Sequence, residues 1–273
     1  MQRFKTGLKI ATAITALLLI SCVAIFGYDF LTQCGYFKAQ NLIVTGTERL
    51  QAAHVLKHAQ INKGVNILSL NLATARKRLL AHSWIAEAEV SRELPSNIHI
   101  RIQEHKPLAV MDLGRKFLIN TKGEIFKEVS ASDPDNLPII SGLEFSDINV
   151  KGESRSLPFD AVMDILHLGQ KSNSVIPNSL IKKIKVDREI GLTIYAPYFE
   201  SGLTNSIKIG YHDYASKYAG LKYVISYLKN KPQFLRLESI DLNNLNRIVV
   251  NPVTIDSTAI PLNKRDGANL SAS

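Results

Sequence analysis

The sequence predicts an α+β protein hung on one amino-terminal membrane helix, and three features carry that prediction. A long apolar run without charges stands near the start. A strand–helix–helix–strand–strand pattern follows it. After that come many short alternating segments with only two helical ones among them. Length sets the scale: 273 residues accommodate one large domain or two modest ones, and 45% hydrophobic content is ordinary for a chain that buries a core.

From Ile10 to Tyr28 no charged residue occurs. At the helical rise this run spans roughly 28 Å, enough for a bilayer core. Arg3, Lys5 and Lys9 precede it and Asp29 follows, so residues 1–9 read as a cytoplasmic tail, 10–28 as the transmembrane helix and the remainder as outside the cytoplasm. A cleaved signal peptide would show small residues after the run, where Asp29, Phe30 and Leu31 stand instead. Leu19-Ile20-Ser21-Cys22 resembles a lipobox, but the apolar run continues to Tyr28 past the cysteine, and whether Cys22 carries lipid stays open. With Cys34 as the only other cysteine, no disulfide framework holds the fold.

The next elements follow in order. Leu42-Ile43-Val44 is a short strand closed by Gly46. Ala52, Val55, Leu56 and Ala59 recur at helical spacing, and Gly64 breaks that helix. Asn71 is placed to cap a second helix with Leu72, Ala75, Leu79 and Leu80 on one face. Ala86, Ala88 and Val90 alternate on one segment, Ile98, Ile100 and Ile102 on the next, and the Leu94–Asn97 turn joins them as a hairpin. Beyond Leu108 the expected strands are Phe117–Asn120, Glu124–Phe126, Leu137–Ile140, Ile181–Val186, Leu192–Tyr195, Ile207–Ile209, Leu237–Leu242 and Arg247–Val250. Helices are expected near Phe159–Leu168 and Ala215–Lys229, the latter with an apolar stripe of Tyr218, Leu221, Val224, Ile225 and Leu228. Residues 253–273 lose periodicity and read as a disordered tail.

Chemistry is sparse. The formal charge of +9 suits a chain lying near anionic lipid headgroups. It does not make a nucleic-acid site, because the basic residues are scattered and Arg76-Lys77-Arg78 has no interleaved aromatics. No nucleophile elbow, P-loop or dinucleotide fingerprint occurs. His54 and His58 stand one helical turn apart, but Val55 occupies the place of the zinc-protease glutamate and no third ligand is near in sequence. No enzyme, metal or cofactor is implied.

Several motifs appear in order: Val44-Thr45-Gly46, Gly64, His82 through Pro95, and Ile98 through Ala109. Leu118 through Phe126, Leu137 through Gly142 and Ile240-Asp241-Leu242 follow. The set resembles the FtsQ/DivIB family of bacterial cell-division proteins. Ser83 stands where the family has proline before Trp84, Asn120 where it has aspartate, and Asn243 where arginine is usual. The resemblance implies a POTRA domain (βααββ) over residues 37–105 and an FtsQ-type, mainly antiparallel β domain with helices over 106–252. Gly46, Gly64, Trp84, Arg92, Pro95, Glu104 and Pro107 carry the signature; read residue by residue, the glycines serve turns, Trp84 plugs the helix–hairpin junction against Ile98–Ile102, and Arg92 and Glu104 are solvated strand ends.

The resemblance also implies a bitopic inner-membrane protein of the division septum, its carboxyl-terminal domains periplasmic. It would bind FtsB- and FtsL-type small bitopic proteins and reach the septal peptidoglycan synthase through them. An edge strand would do the binding, with Asn243, Asn244, Arg247, Ile248, Val249 and Val250 as its residues. A membrane-anchored POTRA adaptor in another envelope pathway and an anchored hydrolase are the alternatives; the first would carry repeated POTRA units or a barrel and the second a clustered polar site.

Overall fold

The computed structural model describes residues 2–33, 35–148, 155–197, 205–229 and 237–252. Contacts divide the chain into two units, Met1–Lys106 and Pro107–Ser273.

The first helix, α1 (Gln2–Gln33), outruns the apolar span at both ends, because Gln2, Arg3, Lys5 and Lys9 are themselves good helix formers. Within it Thr12–Phe30 is long and apolar enough to cross a membrane, and none of that window is buried by protein. Cys22 is a free, exposed thiol on this helix.

The rest of the first unit runs β1 (Asn41–Thr45), α2 (Ala52–Ala59), α3 (Leu72–Leu80), β2 (Ile85–Glu93) and β3 (Asn97–Glu104). The sheet order is β1-β3-β2, with β1 parallel and β2 antiparallel to the central strand. Asn71 caps α3 as expected, its side chain accepting from the Thr74 N–H at 2.9 Å. Ile98, Ile100 and Ile102 turn inward and meet Val55, Ala59, Ala75 and Leu79 from the helices. On β2 the expected Ala86–Ala88–Val90 face is broken. The register slips between Ile85 and Glu87, so the buried residues are Ile85 and Ala88 while Ala86 is half-buried. Gly46 leaves β1 at φ +84°, where a Cβ would lie 1.9 Å from the Ile102 carbonyl oxygen. Only glycine fits that crossing.

Among the described residues the second unit is one nine-stranded sheet with two α-helices. Its strands are β4 (Pro107–Asp112), β5 (Lys116–Asn120), β6 (Ile125–Glu128), β7 (Ile139–Ser141), β8 (Lys183–Asp187), β9 (Gly191–Ala196), β10 (Asn205–Gly210), β11 (Leu237–Asp241) and β12 (Val249–Pro252). The helices are α4 (Leu157–Gln170) and α5 (Tyr214–Lys229). The sheet order is β12-β11-β10-β9-β8-β7-β4-β5-β6. Antiparallel pairs dominate, but β4–β7, β7–β8 and β10–β11 are parallel.

Strand β4 was not among the expected strands. Leu108 through Met111 are all buried, so the segment shows none of the polar–apolar alternation of a half-exposed strand. Pro107 opens it opposite Asn120. Phe159, Val162, Ile165 and Leu166 of α4 join Tyr218, Leu221, Ile225 and Leu228 of α5 in the core against the strands. The predicted α5 stripe is therefore inward, with Val224 at its half-buried margin. The disordered tail expected from residue 253 onward lies outside the described residues.

Candidate partner-binding edge

One end of the nine-stranded sheet is β12. Among the described residues it pairs on one side only, antiparallel to β11, with Asp241 opposite Val249, Ile240 opposite Val250 and Ser239 opposite Asn251. Its other side is a strand edge, the arrangement that accepts an added strand.

The strand starts two residues later than the expected Arg247–Val250. Asn244 is the reason: its carbonyl accepts from the Arg247 N–H at 3.1 Å and its side-chain oxygen from the Asn246 N–H at 2.9 Å. This local turn holds the chain out of the ladder until Val249. Asn243 closes the neighbouring turn, its N–H donating to Asp241 Oδ1 at 2.9 Å. The side chain of Asn243 sits where Gly210 has no Cβ, which would otherwise approach Asn243 Oδ1 to 2.2 Å. Asn243 and Asn244 thus shape the hairpin that presents the edge, and Arg247 stands exposed at its head.

Ile248 and Val250 are half-buried against the core, whereas Val249 is 40% exposed. Ile248 and Val250 also form one wall of an apolar groove of about 410 Å³, whose other wall is Tyr223, Val224, Tyr227 and Leu228 of α5. Tyr223 is 79% and Tyr227 60% exposed. Sequence reading passed over these two tyrosines; the signal was their spacing of four on the polar side of the α5 stripe. Lys217 holds the start of α5 in place. It is 4% exposed and donates to the carbonyls of Ile209 at 2.7 Å and Tyr211 at 3.2 Å. Burial pushes its pKa below the ordinary lysine value, with Asp213 and Asp241 opposing.

The signature residues of the first unit make contacts within that unit. Glu104 is no solvated strand end: it is 8% exposed and accepts the N–H groups of Glu48, Arg49 and Leu50 at 2.9–3.0 Å. Arg92 is likewise engaged, donating to the Leu70 carbonyl at 2.8 Å and the Leu68 carbonyl at 3.4 Å. The two side chains tie connecting segments that have no ladder of their own. Trp84 is buried, but beside rather than within the Ile98–Ile102 cluster; the Arg49 guanidinium lies 4.2 Å over its ring. Gly64 takes φ +84° in open space, and Pro95 occupies the turn between β2 and β3 through a cis bond.

His82, between α3 and β2, packs edge-on against His58 with ring centroids 4.6 Å apart. Its pKa is lowered, first by burial and then by His58, with His54 a smaller cause and Glu104 opposing. Among the described residues no group of three ligands is set to hold a metal ion.

An apolar helix followed by a βααββ unit and a β-rich unit defines a protein of the POTRA-bearing class. Residues 37–105 match the FtsQ-type POTRA domain, and residues 109–243 match the carboxyl-terminal region of cell division protein FtsQ/DivIB, ending just before β12. The chain is 27% identical over 239 residues to cell division protein FtsQ of Syntrophotalea carbinolica, covering 87% of this chain and 82% of that one. The FtsQ of Geotalea daltonii is 25% identical over 249 residues, or 90% and 88% of the two chains. That of Rickettsia bellii is 38% identical over 104 residues, 37% and 39%. The chain belongs to the FtsQ/DivIB family of cell-division proteins.

Proposed function

We propose that this chain is a bitopic divisome assembly protein of the inner membrane, acting at the division septum by binding and not by catalysis. Its carboxyl-terminal domains lie in the periplasm. They engage FtsB- and FtsL-type small bitopic proteins and, through these, the septal peptidoglycan synthase. The observation that carries the reading is β12: a strand edge unpaired among the described residues, beside an apolar groove walled by Tyr223, Tyr227, Ile248 and Val250. A partner strand pairs with the β12 backbone, and an apolar side chain next to that strand fills the groove. Arg247 at the head of the edge receives a carboxylate of the partner.

Proline tests the backbone term. Successive N–H groups of β12 alternate between β11 and the open side, so Val249→Pro and Val250→Pro remove donors of opposite direction. The variant that removes the outward donor abolishes binding of an FtsB-type segment in titration calorimetry. Ile248→Ala keeps the ladder and weakens binding about tenfold, the equivalent of trimming one half-buried aliphatic side chain. Undiminished binding by both proline variants refutes strand addition.

A further inference from the structure

From Arg49 to Ala86 the sequence holds no Asp or Glu, yet carries Arg49, Lys57, Lys63, Arg76, Lys77 and Arg78. This stretch is the helical layer of the first unit, α2 and α3 with their connections. Because Val55, Ala59, Ala75 and Leu79 turn inward, Lys57, Lys63, Lys77 and Arg78 are left exposed. Among the described residues none of these four is paired with a carboxylate. The sheet side differs: Glu89 meets Arg101 at 3.6 Å and Glu93 meets His99 at 2.7 Å. Between the basic residues the helices expose Ala52, Ala53, Ala73 and Leu80. Cationic heads on long stems over a small apolar surface, without acids, form a face matched to a headgroup layer.

The tether supplies the second argument. The apolar span ends at Phe30 and, among the described residues, the first side chain packed on the unit's core is Phe37. Seven residues reach at most about 25 Å, and a folded unit of this size has a radius of gyration of about 11 Å. The unit is therefore held at the bilayer surface, where headgroups stand at high effective concentration whatever the abundance of any protein partner. We infer that the α2–α3 face of the first unit docks on anionic lipid headgroups of the bilayer that α1 crosses. The inference rests on the reading of α1 as a membrane anchor.

The test uses the full chain in nanodiscs of phosphatidylcholine alone or with one-third phosphatidylglycerol, read by backbone hydrogen exchange. Exchange across residues 49–82 slows by about tenfold or more with the anionic lipid. The protection disappears at about 1 M salt, where the screening length falls to about 3 Å. It is lost in a Lys57→Gln/Lys77→Gln/Arg78→Gln variant and kept in Arg101→Gln on the sheet side. Equal exchange in the two bilayers overturns the proposal. So does protection that appears in both bilayers only when an acidic partner segment is added, which would give the face to a protein. A chain that fails to co-elute with either disc refutes the anchor itself, and docking falls with it.

Discussion

Truncating Glu104 should loosen the first unit out of proportion to the size of the change. Its carboxylate holds three successive N–H groups, those of Glu48 and Leu50 on Oε1 and that of Arg49 on Oε2. Hydrogen bonds to a charged group contribute about 1.5–3 kcal/mol each when buried. Glu48 and Arg49 are exposed residues, so water partly replaces the lost acceptor, and about 1 kcal/mol per bond is the fitting figure. Glu104→Ala then costs about 3 kcal/mol, a melting shift of about 12–24 °C for a unit this small. Glu104→Gln keeps one acceptor oxygen and costs about 1–2 kcal/mol, because its amide faces at least one donor. Trp84, the chain's single tryptophan, reports locally, since the Arg49 guanidinium over its ring rides on the segment that Glu104 holds. Denaturant titration followed by Trp84 fluorescence measures the loss. Stability of Glu104→Ala within about 0.5 kcal/mol of the parent, the range of an ordinary surface change, refutes the reasoning.

Gly46→Ala should cost about 2 kcal/mol or more, since it adds positive-φ strain to a clash with the Ile102 carbonyl; Gly64→Ala, at a similar φ but in open space, costs less, and equal melting shifts in the two would contradict the packing argument. His82 has a lowered folded-state pKa, so its contribution to stability is complete above the ordinary histidine range. It diminishes as pH falls through the unfolded value of 6.5 toward the folded one. His82→Gln should flatten the fall in denaturation midpoint between about pH 7 and 5, and an unchanged slope counts against it. A periplasm-active reporter fused after Lys38 should be active and a cytoplasm-active one silent, with Arg3, Lys5 and Lys9 held inside; the opposite pattern reverses the topology.

Periodicity made some elements plain in the sequence and concealed others. Asn71 announced its cap, and Ile98, Ile100 and Ile102 their inward face, because each is decided by local chemistry with a fixed repeat. Strand β4 gave no such signal, since burial on both faces erases alternation. The slip beside Ile85 inserts a residue that no period-two count anticipates. Arg92 and Glu104 looked like surface charges because their partners are backbone groups distant in sequence, 22 to 56 residues away. At the edge, the presence of a strand was legible and its start was not: Asn244 bonding to its own neighbours delays β12. The tyrosine wall of the groove needed α5 to be placed in space before it could be seen.

The position of β12 in the chain has a consequence for timing. Strands β10 and β11 are parallel neighbours joined through α5, and among the described residues β12 is the last strand in the chain, added outside them. A polypeptide made from its amino terminus completes the first unit and most of the large sheet while this last segment is still unsynthesised. Until then the rim of the sheet is β11, whose residues carry a different row of side chains. On the strand-addition proposal, competence to recruit a partner strand would therefore arrive only after Pro252 has been made, and a chain cut short before Val249 would fold most of its mass yet lack that edge.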